Sequence, residues 1–357
     1  MSDLLIRCRI APSPSGFLHI GTAKTALYNW LFARSQGGTF ILRLEDTDAE
    51  RTDEQYVAAM CEGFKWLGID WDEGPKFGDE PEKGEYGPYR QSQRREMYRR
   101  EAARLLEEGK AYKCFCTREE IEVMREQAAA EKRPPRYPGK CRNLTPEEIA
   151  AKGDAPYSVR FRVPEGETIV DDIIQGPVRF NNKEYDDFII VKSNGDAIFH
   201  LAVVVDDGLM KISHIIRGDD HLTNAGRHVM LFNALGYPLP RFAHHPLVHD
   251  EQGKKYSKRL HGANVLDWRA DGYLPETLIN YIALLGWTSE EEGREFFTLE
   301  ELQQLFTLKR LTKSPARFDR KKLDWLNGRH IRMLTPEELC DRVLPIMRNN
   351  GLDVDAK

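Results

Sequence analysis

Two short segments about 235 residues apart carry the residues best suited to chemistry in this chain. The first, Pro-Ser-Pro-Ser-Gly-Phe-Leu-His-Ile-Gly-Thr, ends at Thr22 and contains His19 and Gly21. The second is Lys255-Tyr256-Ser257-Lys258-Arg259. A glycine-bearing turn offers backbone amides and an imidazole, and paired ammonium groups offset the negative charge of a triphosphate. Together the two segments predict an enzyme that activates a substrate with ATP.

Each segment has a simpler interpretation when it is taken alone. An isolated His19 and Gly21 would favour a ring that fills a turn and a glycine that permits close packing. Lys255 and Lys258 alone would favour a solvated surface turn. Their joint presence favours catalysis, because two cations in a loop introduced by Gly253 are suited to follow the charge that builds on a leaving pyrophosphate.

The first segment lies within a predicted βαβ unit. An apolar run from Leu4 to Ile10 is followed by a turn, a helical pattern from Thr22 to Ser35 and a second strand from Thr39 to Leu44. This order is typical of a parallel α/β sheet, which binds its ligands at the carboxyl ends of the strands. The predicted fold class is therefore α/β.

Composition describes an ordinary globular protein of more than one domain. The 357 residues exceed what one core usually supports, and 41% are hydrophobic and 31% charged. No apolar run has the length of a membrane span and no signal peptide is visible, so we expect a cytoplasmic protein with no membrane partner. A net charge of -5 argues against indiscriminate coating of nucleic acid but leaves a local basic face open.

The middle of the chain changes character. Residues 110 to about 190 contain clustered cysteines and short β-like runs, which predicts a domain inserted into the nucleotide fold. The α/β pattern then returns, and helix signals dominate beyond Lys258, including capping boxes that begin at Thr298 and Thr335. The last helix barely begins a new unit, so we expect a further C-terminal domain to be missing.

Longer matches show that the chain resembles the class I aminoacyl-tRNA synthetases, and in detail the bacterial-type glutamyl-tRNA synthetases. The motifs occur in the family's order over nearly the whole chain. They are Arg9-Ile-Ala-Pro-Ser13-Pro, Arg43-Leu-Glu45-Asp-Thr-Asp48, Gly87-Pro-Tyr-Arg90-Gln-Ser92, Val203-Val-Val-Asp206-Asp207, Ile216-Arg217-Gly-Asp-Asp220-His221 and Phe318-Asp-Arg-Lys-Lys-Leu-Asp-Trp325-Leu-Asn-Gly.

The resemblance implies a Rossmann-type parallel sheet, an inserted α+β connective-peptide domain and a helical stem-contact domain. The implied boundaries are 1–109 and 191–245 for the two catalytic halves, 110–190 for the insert, 246–330 for the stem-contact domain with the second signature loop, and 331–357 for the start of a helical anticodon-binding domain. It also implies ATP with Mg²⁺, L-glutamate and tRNA-Glu as partners, and a monomer.

For glutamate, the resemblance implies that Arg9 and Arg217 hold its carboxylates and that Glu45 takes its ammonium group, with Ser13 and His221 beside the substrate. A dicarboxylic amino acid needs such a set, since each carboxylate requires a cationic partner. The alternative for Arg9 is a buried structural ion pair. The implied ATP-binding residues are Ser13, His19, Gly21, Thr22, Lys255, Ser257 and Lys258, of which His19, Gly21, Lys255 and Lys258 are assigned to catalysis.

Four positions depart from the family's usual pattern. Thr22 replaces the final histidine of the first motif, as in other glutamate-specific members. Phe199 stands where many members have a tyrosine, and Val203 where some have an asparagine, so both positions are assigned to the glutamate pocket without those polar contacts. Tyr256 replaces an aliphatic residue in the second motif and leaves both lysines intact.

The clustered cysteines leave a zinc site and an unmetallated cluster both open. Cys114, Cys116 and Cys141 match thiolate ligands of a zinc site found in some members, with Tyr137 or a nearby group as the fourth ligand. The nearby basic residues favour thiolates, whereas the one-residue spacing is tighter than in most zinc knuckles. A zinc ion here would be structural.

Three functions follow from the sequence. The first is ATP-dependent attachment of glutamate to tRNA-Glu through glutamyl-adenylate. The second is the shorter relative that makes glutamyl-queuosine on tRNA-Asp, although residues 286–328 here are longer than it requires. The third is a non-catalytic tRNA-binding paralogue, which the intact signature residues argue against. Basic residues at 94–104 and 309–322 form two clusters, either solvated helix faces or phosphate contacts.

Overall fold

The computed structural model describes residues 5–47, 52–256, 264–349, 351, 352 and 354. It begins with the predicted βαβ unit: strand β1 (Arg7–Ile10), helix α1 (Ile20–Ser35) and strand β2 (Thr39–Leu42). The two strands pair in parallel, with Arg7 opposite Thr39. Helix α1 ends where Gly37 adopts a left-handed conformation with φ of 61°, which a side chain would disfavour.

The remaining elements follow in chain order. The strands are β3 (Ala111–Cys114), β4 (Ser158–Phe161), β5 (Glu167–Asp172), β6 (Gly176–Asn181), β7 (Ile189–Val191), β8 (His214–Gly218), β9 (Arg241–His245), β10 (Val248–His249) and β11 (Ala316–Arg317). The helices are α2 (Glu54–Trp66), α3 (Arg95–Glu107), α4 (Arg118–Ala130), α5 (Pro146–Ala150), α6 (Phe199–Leu209), α7 (Leu222–Leu235), α8 (Val265–Ala270), α9 (Pro275–Ala283), α10 (Leu299–Leu305), α11 (Arg320–Ile331) and α12 (Pro336–Asn349).

A six-stranded sheet of order β2-β1-β8-β9-β5-β6 forms the centre of the protein. Its first five strands are parallel, and β6 returns antiparallel to β5. Successive side chains on these strands enter two different apolar cores: Ile216 and Ala243 face the core around α1, while Ile215 and Phe242 face the core around α6 and α7. This alternation is expected of a sheet that is covered on both faces.

The segment predicted as an insert is divided between two sheets. Its β5–β6 hairpin extends the central sheet through β9, whereas β3, β4 and β7 form a separate three-stranded antiparallel sheet. Side chains of that second sheet share an apolar core with α6 and α7. The mixed α/β fold is thus confirmed, and the domain boundaries given above stay predictions.

A buried cluster of charges joins the sheet to the helices around it. Asp207, on α6, accepts hydrogen bonds from Arg9 Nε at 3.1 Å and from Arg43 Nη1 at 2.7 Å. Its neighbour Asp206 accepts from Arg94 and Gln91. Because both carboxylates are fully buried, each offsets guanidinium groups that would otherwise be left without a counter-charge.

Asp206→Ala should lower the free energy of unfolding by about 3–5 kcal/mol, because it leaves Arg94 and Arg43 buried near an empty space. Urea unfolding followed by circular dichroism measures this loss. Asp171→Ala is the matched control: that aspartate is exposed on β5, so its removal should change the value by less than about 0.5 kcal/mol. Equal effects of the two substitutions would contradict a structural role for the buried cluster.

Candidate active site

A cleft of about 390 Å³ opens where β1, β8 and β9 end and α1 begins. This is the edge of a parallel sheet at which ligand binding was predicted. Most of the predicted site residues line it: Arg9, His19, Gly21, Thr22, Glu45, Phe199, Val203, Arg217, His221 and Lys255. Ser13 is exposed and does not line the cleft, although its neighbour Pro12 does. Ser257 and Lys258 lie outside the described residues.

His19 caps the N-terminus of α1. Its Nδ1 accepts hydrogen bonds from the backbone amides of Gly21 at 3.1 Å and Thr22 at 3.3 Å, and its Nε2 lies 3.1 Å from the Thr22 hydroxyl. The sequence suggested that these amides face a phosphate, but in the structure they bind the imidazole. A Cβ atom at Gly21 would lie 3.0 Å from the ring, so glycine is needed there for close packing against His19.

Lys255 lines the same cleft. Lys255 follows a turn and forms a β-bridge with His249. Its Nζ lies 2.8 Å from an Asp220 carboxylate oxygen. Both side chains are substantially exposed. Tyr256 packs against the Phe318 ring at a centroid distance of 4.8 Å, which anchors the base of the loop in the apolar core.

Two buried guanidinium groups and one carboxylate also line the cleft. Arg9 is held by Asp207, so the alternative of a structural ion pair is also realised, yet the side chain still lines the cleft. Glu45 lies 3.5 Å from Arg43 Nη2. Burial raises the pKa of Glu45 to about 7, although Arg43 and Arg9 act in the opposite direction. A second positive group nearby, Arg217, completes a site with the charges that a dicarboxylic amino acid requires.

Arg217 differs from Arg9 in its partners. Its Nε donates to His244 Nε2 at 3.0 Å, its Nη1 lies 3.2 Å from His228 Nδ1, and its Nη2 reaches the His221 carbonyl oxygen at 3.4 Å. Among the described residues no carboxylate forms an ion pair with it. Burial, together with the nearby positive charge of Arg9, lowers the pKa of Arg217 to about 9. The group remains cationic at neutral pH and faces the cleft, which suits it to bind an anion.

Phe199 and Val203 contribute apolar walls to the cleft. Both are on α6; Val203 is buried, whereas the Phe199 ring is partly exposed and contacts the His200, His221 and His228 rings. Neither side chain can donate or accept a hydrogen bond, so the departure noted in the sequence is a real loss of polar groups at these two positions.

Sequence reasoning missed Lys24 and His245, which also line the cleft. Lys24 is buried, donates to the Pro246 carbonyl oxygen at 2.7 Å, and has its pKa lowered by burial to about 7. His245 Nε2 lies 3.1 Å from the Thr25 hydroxyl. A lysine within a helical pattern is usually exposed to solvent, so nothing in the sequence indicated that Lys24 is buried beside the cleft.

The cysteine cluster forms away from the cleft. The sulfur atoms of Cys114, Cys116 and Cys141 lie within 4.8 Å of one another, and the Cys116 and Cys141 sulfurs are 3.7 Å apart. The Tyr137 hydroxyl lies 3.4 Å from Cys114 Sγ and accepts the Cys141 amide at 2.8 Å. The four residues proposed from the sequence are therefore assembled at one place.

The basic helix face predicted on α3 is only partly a surface. Arg94 is buried and bonded to Asp206, so its assignment to the surface was wrong. Arg99 and Arg104 are paired with glutamates of the same helix, as the solvated-face alternative requires. No described helix is both long and apolar enough to cross a membrane.

Residues 5–325 match the family model described as tRNA synthetases class I (E and Q), catalytic domain. A glutamate–tRNA ligase of Moorella thermoacetica is 49% identical over 351 residues, which is 97% of this chain and 70% of that protein. The enzyme of Aquifex aeolicus is 46% identical over 99% of this chain and 72% of its own length.

Solved structures agree with this match. The crystal structure of a glutamate tRNA ligase from Elizabethkingia meningosepticum in complex with its amino acid superimposes with a TM-score of 0.88 and is 34% identical, covering 98% of this chain and 74% of that one. The glutamate-tRNA synthetase of Elizabethkingia anophelis gives a TM-score of 0.87. The chain therefore belongs to the class I tRNA synthetases of the glutamate and glutamine group.

Proposed function

We propose that this chain activates L-glutamate with ATP and transfers it to tRNA-Glu. The observation that carries the proposal is that Arg9, Arg217 and Glu45 line the same cleft as His19 and Lys255. The first group matches the two carboxylates and the ammonium of glutamate. The second matches a triphosphate. A single cleft lined by both sets is suited to hold a glutamate carboxylate next to the α-phosphorus of ATP.

The reaction requires positioning and charge neutralisation more than a covalent nucleophile. A carboxylate oxygen of glutamate attacks the α-phosphorus in line, glutamyl-adenylate forms, and pyrophosphate leaves. ATP enters with Mg²⁺ as a substrate complex. His19 at the helix N-terminus and Lys255 line the cleft and are suited to offset charge on the phosphates, a role also proposed for Lys258 from the sequence. The terminal ribose hydroxyl of tRNA then attacks the acyl carbon and AMP leaves.

A basic surface near the end of the described chain supports RNA binding. Lys309, Lys313 and Arg317 are exposed, and Trp325 on α11 exposes 44% of its surface beside Arg329. Exposed lysine and arginine contact phosphates without reading sequence, and the contact weakens as salt rises. The identity of the tRNA and the monomeric state stay predictions.

Glutamate-dependent ATP–pyrophosphate exchange tests the proposal, with glutamine and aspartate as control substrates. We expect exchange with glutamate when tRNA-Glu is present, as the resemblance implies. Exchange that needs no tRNA would favour the glutamyl-queuosine relative instead. Absence of exchange under every condition would contradict the proposal.

Lys255→Met should reduce kcat for pyrophosphate exchange by about 10²- to 10³-fold, because it removes a cation that stabilises charge on the leaving group. The KM for glutamate should stay nearly unchanged, since Lys255 is assigned to ATP and not to glutamate. Lys254→Met is the matched control, because Lys254 is the exposed neighbour and does not line the cleft. Similar losses in the two variants would refute a role for Lys255 in catalysis.

Glutamate binding should weaken as pH falls from 8 to 6. Burial raises the pKa of Glu45 to about 7, so the carboxylate that pairs with the substrate ammonium becomes protonated and neutral in this range. We expect the dissociation constant to rise about 10-fold, as measured by calorimetry. Glutarate, which lacks the ammonium group, is the control ligand. Its binding should not weaken as Glu45 becomes protonated, and a parallel loss of affinity would argue against this assignment.

We also propose that the cysteine cluster holds a structural zinc ion. The donor set fits: the Cys116 and Cys141 sulfurs are 3.7 Å apart, close to the separation of about 3.8 Å for two thiolates at tetrahedral zinc with bonds of about 2.3 Å. Cys114 and Tyr137 would complete the set. Such an ion would tie β3 to the segment that follows it and would take no part in the reaction.

Elemental analysis should find about one zinc ion per chain. Cys141→Ser should lose it, because removing one thiolate leaves two. Cys340→Ser should retain the metal, since Cys340 lies on α12 outside the cluster. A metal-free wild-type protein, or zinc retained in Cys141→Ser, would show that the cluster is not a zinc site.

A further inference from the structure

A chain of buried polar groups leads to Arg217 from a strand that does not line the cleft. Asp172 Oδ2 lies 2.6 Å from His244 Nδ1, and His244 Nε2 accepts a hydrogen bond from Arg217 Nε at 3.0 Å. On the other side of the guanidinium, His228 Nδ1 lies 3.2 Å from Arg217 Nη1, and His228 Nε2 lies 3.2 Å from His200 Nδ1. Asp172, His244 and His228 are all buried.

The tautomers of these imidazoles follow from their partners. An arginine can only donate, so His244 Nε2 and His228 Nδ1 must both carry a lone pair toward Arg217. The ring proton of His244 is then on Nδ1 and is donated to the Asp172 carboxylate. The proton of His228 is on Nε2 and is donated to His200. Each imidazole is neutral, which agrees with the way burial lowers the pKa of both His244 and His228.

Backbone contacts hold the Asp172 carboxylate in place beside His244. It is the last residue of β5, paired with Phe242 of β9, and its Oδ1 accepts the amides of Ile174 at 2.9 Å and Gln175 at 2.8 Å. Burial alone would raise the pKa of Asp172, but the hydrogen bonds from His244 and these amides hold it below its usual value. The carboxylate is therefore ionised and can only accept, which selects the Nδ1-protonated form of His244.

We propose that Asp172 and His244 are positioning residues that hold the Arg217 guanidinium in place for a carboxylate of the substrate. Asp172 fixes the tautomer of His244, and His244 orients Arg217 through a neutral acceptor. The guanidinium is thus directed without being neutralised, so its charge remains for the ligand. This inference rests on the proposed function only for the identity of that ligand as glutamate.

A purely structural role is the competing explanation, because Asp172 also caps the turn at Ile174 and Gln175. The two explanations differ for Asp172→Asn. In the positioning role, the new amide can donate to His244 Nδ1, which moves the ring proton to Nε2. Nε2 can then no longer accept the hydrogen bond from Arg217 Nε. In the structural role, the tautomer of His244 is irrelevant.

The test is a double-mutant cycle of Asp172→Asn and His244→Gln, read as KM for glutamate and KM for ATP in pyrophosphate exchange. A glutamine oxygen can accept from Arg217 whatever group occupies position 172. Asp172→Asn should therefore raise the glutamate KM about 10- to 100-fold in the wild-type background, a range typical of a displaced binding group. In the His244→Gln background, Asp172→Asn should raise the glutamate KM less than about 3-fold. The ATP KM should change little in either case.

Equal increases in both backgrounds would assign Asp172 a structural role and overturn the inference.

A measurement on the unmodified protein keeps the inference testable if a variant fails to fold. Long-range ¹H–¹⁵N spectra of protein with ¹⁵N-labelled histidine report each tautomer, and the His244 signals are those missing in His244→Gln. Protonation at Nδ1 is expected, and protonation at Nε2 would overturn the inference. Wild-type protein without glutamate-dependent exchange would instead refute the proposed function and leave the tautomer result intact.

Discussion

Charge compensation by two adjacent carboxylates fixes the geometry on which the cleft depends. Asp206 and Asp207 are buried side by side on α6 and bind arginines from β1, from the end of β2 and from the start of α3. Buried guanidinium groups are costly without a partner, so the fold cannot move one of these elements without exposing a charge to an apolar interior. The same ion pairs hold the cleft in place, because Arg9 both lines the cleft and pairs with Asp207.

The two arginines of the cleft illustrate different ways of holding a buried cation. Arg9 is bound to a carboxylate, whereas Arg217 is bound to two imidazole nitrogens and a carbonyl oxygen. Neutral acceptors satisfy donors and set direction while leaving the net charge in place. Burial lowers the pKa of His200 and of His221 to about 4, so this environment stays neutral through the physiological range. Arg217 therefore presents a constant positive charge to an anionic ligand.

The sequence predicted the βαβ unit, the edge of the sheet at which the cleft opens and ten of the residues that line the cleft, because turn signals and motif order are local properties. It could not predict contacts that only the fold creates. Nothing around Asp172 distinguishes it from other strand residues, and His244 stands in the strand Arg241–His245 with no motif spacing to His228. The apolar run from Leu201 to Val205 became part of helix α6, since a short buried run has no period that separates helix from strand.

The excursion between β3 and β4 stands apart from the two large apolar cores. It carries the short helices α4 and α5, and its buried contacts around Cys114 and Cys141 form a small cluster of their own. Segments with few buried contacts open at a lower free energy than the cores they are attached to. The cluster closes the chain back on itself early in the excursion and so limits the entropy released when it opens. We therefore expect this excursion to open at a lower free energy than the sheet that carries the cleft.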